Sequence, residues 1–302
     1  MLFITIWPIF ALICLGHVLA RRNFPSAEFW PAAERLNYHV LFPALLVSSL
    51  ANAPVRDPQI LRLGGATVLT ILIAVAVLYA LRAVHHMPPA RFGPLVQGIV
   101  RFNTYLALSI LATLEGIAGL ERAAVYLAVA VPLVNVLAIV ALSDAGTAHR
   151  PFVLIATVFR NPLVLACVIG ACLALSEVGL PYGSDRFLKL MGEGSLPLGL
   201  LCVGAALRPA SLRQDIKGLL GAGLARLLIM PVLAGIVARV FGLSGVEAMV
   251  LVVFSAVPAA PTAYVLTQQL KGDGPFMAGI VTFQTLLAVA TIPAVLLLFS
   301  AL

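Results

Sequence analysis

The sequence predicts an all-α membrane protein of ten transmembrane helices, arranged as two inverted five-helix repeats with broken helices 4 and 9. Three observations lead there. Of the 302 residues, 62% are hydrophobic and 10% charged, with a mean hydropathy of +1.08. A soluble domain of this length carries far more charge on its surface. The apolar residues fall in runs long enough to cross a bilayer. Two of those runs are interrupted at matching places in the two halves.

The spans run 2–20, 32–51, 60–81, 92–115, 121–142, 154–178, 187–208, 218–240, 246–270 and 276–300. Span 1 follows Met1 with no basic segment before it, so it is read as a helix and not as a cleaved signal peptide. Short connectors separate the spans and leave nothing that could build a soluble domain. Asp57, Asp144, Asp185, Asp215 and Asp273 fall between spans, as do Glu28, Glu115, Glu121 and Glu177. Glu34 and Glu247 stand at span starts, and Glu193 alone lies clearly inside one. Cys14, Cys167, Cys172 and Cys202 lie in spans without metal-site spacing and are expected to be small buried side chains.

Charge gives the orientation. On or beside connectors 1, 3, 5, 7 and 9 lie ten basic residues: Arg21, Arg22, Arg82, Arg91, Arg150, Arg160, Arg208, Arg213, Lys217 and Lys271. The even connectors carry six: Arg56, Arg62, Arg122, Arg186, Lys189 and Arg239. The positive-inside rule makes the odd connectors cytoplasmic and puts both termini outside. The net charge of +7 is then a property of loops facing an anionic leaflet, with no nucleic acid implied.

The halves repeat. Pro8 precedes Gly16 in helix 1 as Pro162 precedes Gly170 in helix 6. Pro43 of helix 2 matches Pro197 of helix 7, which sets His39 opposite Glu193. Helix 4 is interrupted at Arg101-Phe102-Asn103-Thr104-Tyr105 and helix 9 at Val257 through Tyr264. Each repeat has an odd number of spans, so residues 1–150 and 151–302 insert with opposite polarity. Paired interruptions of this kind mark the binding site of a secondary transporter, because bare backbone at membrane depth is tolerated only inside protein or along a cavity.

The interruptions supply the candidate site residues. A break exposes N–H groups on one side and carbonyls on the other, and the N-terminal end favours an anion. Asn103 is the first candidate, because its amide can donate to a carboxylate or cap the broken backbone. Thr104 adds a hydroxyl. Pro258 and Pro261 remove two backbone donors within one turn, and Thr262 and Tyr264 follow with hydroxyls. Arg101 precedes the first break and is placed to attract an anion. An arginine at this depth costs about 2.5–3.5 kcal/mol on insertion scales, and Arg226 carries the same cost in a structural role. Glu193 and His39 are candidates for proton or ion coupling.

At Phe102-Asn103-Thr104, Asn135, Asn161-Pro162-Leu163 and Pro258 through Tyr264 the chain resembles the auxin efflux carrier family, in its bacterial branch. The resemblance covers essentially the whole length. Plant members have a long loop between the halves, whereas connector 5 here is short. The resemblance implies a fold shared with bile-acid sodium symporters. In it helices 1, 2, 6 and 7 form a scaffold and homodimer surface, and helices 3–5 and 8–10 form a moving domain. It also implies elevator-type transport of an organic anion, such as malonate or a related carboxylate, across a bacterial inner membrane. It places Asn135 near the crossing of helices 4 and 9.

An enzyme is disfavoured: the chain has no H-E-x-x-H, no P-loop and no aspartate within any span. No cofactor or metal is expected, and a coupling proton or sodium ion stays open. A cation-coupled symporter or antiporter of the same fold, with another substrate, is the alternative. An antiporter is expected to need acids at the crossing, where the sequence reading places none.

Overall fold

The computed structural model describes residues 2–55, 57–143, 161–176, 179–180, 182–213 and 215–299, all helix, turn or loop. The 150/151 boundary between repeats, the start of span 6 and Arg56, Asp144, Arg150, Arg160 and Glu177 lie outside the described residues. The helices are α1 Leu2–Arg21, α2 Phe29–Leu36, α3 Phe42–Ala51, α4 Pro58–His85, α5 Pro89–Val100, α6 Thr104–Leu142, α7 Pro162–Ser176, α8 Ser184–Glu193, α9 Ser195–Ala205, α10 Ile216–Leu224, α11 Met230–Val240, α12 Gly245–Ala256, α13 Thr262–Gln269 and α14 Gly274–Leu298. Six helical runs among the described residues are long and apolar enough to cross a membrane. Pro162–Ser176 and Gly245–Ala256 are shorter apolar helices. Ile4, Leu61, Val84, Val240 and Leu298 stand exposed on outer surfaces, as lipid-facing side chains would.

Local chemistry explains the ends and bends. Asp57, Asp215 and Asp273 accept from the backbone N–H of Gln59, Gly218 and Phe276, capping α4, α10 and α14. Within α6, Gly116 takes φ +59°, a left-handed turn that glycine adopts at little cost, and separates arms 104–115 and 117–142. Pro43 and Pro231 follow single π-helical turns at Asn37–Leu41 and Ala225–Ile229. A proline lacks an N–H and crowds the carbonyl four residues back, and the wider turn relieves that conflict. Before Pro197 the helix has a one-residue irregularity at Gly194 (φ −72°, ψ −20°) that divides it into α8 and α9, while Ser184–Ala205 remains one run of membrane length, matching the span expected over 187–208. The two distorted helices are joined where Asn37 Nδ2 donates to Ser195 O (3.0 Å) and Ser195 Oγ donates to Asn37 Oδ1 (2.8 Å).

The matched glycines have matched surroundings. A Cβ on Gly16 of α1 would meet Leu201 O of α9 at 2.1 Å. A Cβ on Gly170 of α7 would meet Leu50 Cβ of α3 at 2.8 Å. Both permit the close backbone approach on which helices in lipid rely. Of the cysteines, Cys167 and Cys202 are buried as expected, whereas Cys14 and Cys172 face outward.

Two ion clusters tie connectors together at opposite ends. Arg91 pairs with Asp215 and with Asp273 (2.8 Å) and lies over the Phe276 ring, joining the ends of α5, α10 and α14. Arg122 donates to Glu247 (2.7 Å), joining the second arm of α6 to the start of α12.

Candidate functional site

The two interruptions meet. The N–H of Asn103 donates to Pro258 O at 2.8 Å, so α5–α6 and α12–α13 touch where both are unwound. Four ends converge there, and their polar groups are divided between two faces.

The carbonyl-bearing ends of α5 and α12 are closed from within. Arg226, only 1% exposed, donates to Ile99 O (2.8 Å), Phe254 O (2.5 Å) and Val257 O (2.7 Å). Its π-turn position turns the guanidinium onto both negative helix ends at once. Gln284 of α14 adds a second brace. It donates to Gly98 O (2.9 Å) and Ala222 O (3.1 Å) and accepts from Ala259 N (2.9 Å). Backbone freed by the breaks therefore finds partners without water. Behind the crossing Tyr126 and Phe254 stack with centroids 4.1 Å apart, and Phe102 packs edge-on against both.

The N-terminal ends of α6 and α13 open instead on a cavity of about 60 Å³. Of the residues selected from sequence, Arg101, Asn103, Thr104, Asn135, Pro261 and Thr262 line it. Asn103 Oδ1 accepts from Leu106 N (3.1 Å) and so caps α6. Its Nδ2 is buried and has no hydrogen-bond partner among the described residues. Arg101 is held by Gln97 Oε1 (3.1 Å), with Thr262 Oγ1 at 3.4 Å across the crossing. Gln97 is fixed in turn by donating to Thr267 Oγ1 (2.8 Å).

The other selected residues lie elsewhere. Pro258 is buried behind the cavity as the acceptor for Asn103 N–H. Tyr264 faces an adjoining cavity of about 460 Å³, where its hydroxyl accepts from Arg208 (2.9 Å) and Gln268 (2.8 Å). Glu193 is exposed in a cleft with Asp185 and Lys189, and His39 is exposed against Arg35 O (3.0 Å). Neither lines the crossing cavity.

One expectation is corrected. The crossing does contain an acid: Glu34 lines the cavity, 3.5 Å from the Tyr105 hydroxyl. The sequence reading set Glu34 at the edge of a span beginning at 32, but the helix begins at Phe29 and carries Glu34 inward. Glu34, Tyr38 and Phe42 all line the cavity, spaced four residues apart as one face of a helix. That spacing is the signal that could have found them. Tyr38 also reaches Asn161 Oδ1 (3.4 Å), whose other bond caps Leu163 N (2.9 Å). Glu34, Pro261 and Thr262 line both cavities, and the larger one extends past Trp30 to Asn23 and Arg208.

Residues 148–296 match the model of a family described as membrane transport protein. The chain is also 25% identical over 299 residues to a protein of Methanothermobacter thermautotrophicus named an uncharacterized transporter, covering 96% of this chain and 95% of that protein.

Proposed function

We propose that this chain, which belongs to the membrane transport protein family through residues 148–296, is a secondary transporter for an organic carboxylate that binds where helices 4 and 9 cross. The observation that carries the reading is the unpartnered Asn103 Nδ2. A buried amide donor without an acceptor is costly, about 1–3 kcal/mol, and an anion would supply the missing acceptor. The surroundings favour negative charge. Two helix N-termini and Arg101 face the same cavity, while Arg226 neutralises the carbonyl ends on the other side.

The proposed topology is ten spans in two inverted five-helix repeats. It is supported by the equivalent contacts of Gly16 with α9 and of Gly170 with α3. It is supported also by the meeting of Arg91, Asp215 and Asp273, which come from connectors 3, 7 and 9. With odd connectors cytoplasmic, the larger cavity running to Asn23 and Arg208 is an inward-facing vestibule. Transport then takes the elevator form. The crossing moves with α4–α6 and α10–α14 past a scaffold of α1–α3 and α7–α9, across a bacterial inner membrane. The scaffold helices also supply a homodimer surface.

A thermal-shift screen of the purified protein against small carboxylates, from malonate to indole-type acids, with and without sodium, tests the reading. A ligand of the folded state raises apparent stability by mass action. Stabilisation by a carboxylate is the expected result. Stabilisation by cations alone, with no response to any anion, would overturn it.

A further inference from the structure

Glu34 sets a condition on the anion site. Glu34 lines a cavity of about 60 Å³ whose other polar groups include the Asn103 amide, the Arg101 guanidinium, Asn135, the hydroxyls of Tyr38, Thr104, Tyr105 and Thr262, and two helix N-termini. All of these suit a carboxylate ligand. A second carboxylate already inside does not, unless it is neutral: two like charges in so small a space repel.

Glu34 shares the positive surroundings of the cavity with any bound anion and has no ion-pair partner of its own among the described residues. The titratable and charged groups facing it are Tyr38 on its own helix, Tyr105 and Arg101 from the first break, Cys202 from α9 and Arg208 from the adjoining cavity. Among the described residues Glu34 makes no ion pair. Arg101 is engaged by Gln97 and Thr262, and Arg208 by Tyr264. The Tyr105 hydroxyl, 3.5 Å away, can donate to the ionised form or accept from the neutral one. Glu34 also borders both cavities, so a proton can reach it from the vestibule while the anion occupies the inner site.

We propose that Glu34 must take up one proton before the anion can occupy the crossing cavity, so that anion binding and protonation of this carboxyl are linked. The proposal rests on the anion reading of the cavity. It fixes a sign. Binding is strongest at acidic pH, where Glu34 is neutral, and weakens by about tenfold for each pH unit once Glu34 ionises in the free protein. The neutral carboxylic acid also contributes an O–H donor to the ligand, which the ionised form cannot.

The test is calorimetric titration of the purified protein with malonate and, separately, with indole-3-acetate. Each titration is run from mildly acidic to mildly alkaline pH, in buffers of different ionisation enthalpy. At the alkaline end wild type should take up about one proton per anion bound, falling toward none at the acidic end, and Glu34→Gln should take up none at any pH. The Gln variant should hold its affinity at the acidic-limit value of wild type across the range. Glu34→Asp should keep the pH dependence, which separates titration from packing. Proton uptake that persists unchanged in Glu34→Gln would overturn the proposal. So would anion binding by wild type without proton uptake at the alkaline end, although the anion site itself would then stand. Absence of binding by either anion at every pH would overturn both.

Discussion

The backbone N–H of Asn103 donates to the carbonyl oxygen of Pro258 over 2.8 Å, joining the interruptions of two helices from opposite halves of the chain. One hydrogen bond thereby satisfies a donor freed by the first break and an acceptor freed by the second. It also fixes which polar groups face which way. Carbonyl ends turn toward Arg226 and Gln284, and N–H ends turn toward the cavity. The selectivity proposed above depends on that separation.

Arg226 holds the separation in place, so its removal should be felt as lost stability. Arg226→Met leaves Ile99 O, Phe254 O and Val257 O without donors in a site closed to water. A loss of at least about 3 kcal/mol is expected, since bonds to charged groups contribute about 1.5–3 kcal/mol each and do not add fully. Arg226→Lys should recover only part, because one ammonium lacks the planar fork that spans three carbonyls. Chemical denaturation in detergent reads both variants. Wild-type stability in Arg226→Met would show that the carbonyls find other partners.

Gln284→Leu should act more locally. It preserves volume but strips Ala259 N of its acceptor and Gly98 O and Ala222 O of a donor. Hydrogen exchange should rise at residues 257–261 and around 98–103, with a stability loss of about 2 kcal/mol. Unchanged exchange at the breaks would contradict the bracing role.

The close helix pairs predict a contrast among glycines. Gly204→Ala places a Cβ 1.8 Å from Ile13 O, and Gly16→Ala places one 2.1 Å from Leu201 O. Backbone cannot yield as a side chain can, so each should lower the melting temperature sharply by forcing α1 away from α9. Gly221→Ala meets nothing within 4 Å on a helix and should stabilise by about 0.5–1 kcal/mol. Equal effects at Gly204 and Gly221 would refute the close approach.

How much of this was legible in the chain depends on the range of the interaction. The second break could be read from Pro258 and Pro261, which remove donors whatever surrounds them. The first could be read from Asn103-Thr104, polar residues where lipid-facing helix tolerates few. The turn at Gly116 fell between two expected spans for the same local reason. What could not be read were the partners: Gln284 reaches Gly98 across 186 positions, and no periodicity encodes that pairing. Glu34 was missed by a boundary. The span is read from residue 32, whereas the helix starts at Phe29 and carries the carboxyl to the crossing. Pro197 and Pro43 were visible as matched prolines, but not the local form each takes, a one-residue irregularity at Gly194 in one helix and a π-helical turn in the other.

The most direct test of the account is Asn103→Asp, measured for affinity and stability together. Asp keeps the oxygen that accepts from Leu106 N, so the α6 cap persists and the variant should still fold, less stably than wild type because a second carboxylate is then buried beside Glu34. It replaces the unpartnered Nδ2 donor by an oxygen and adds negative charge to the cavity. Calorimetric titration with a carboxylate that binds wild type should show affinity falling by about a hundredfold or more. Wild-type affinity in a folded Asn103→Asp protein would contradict the account, because the anion would then bind somewhere other than the crossing.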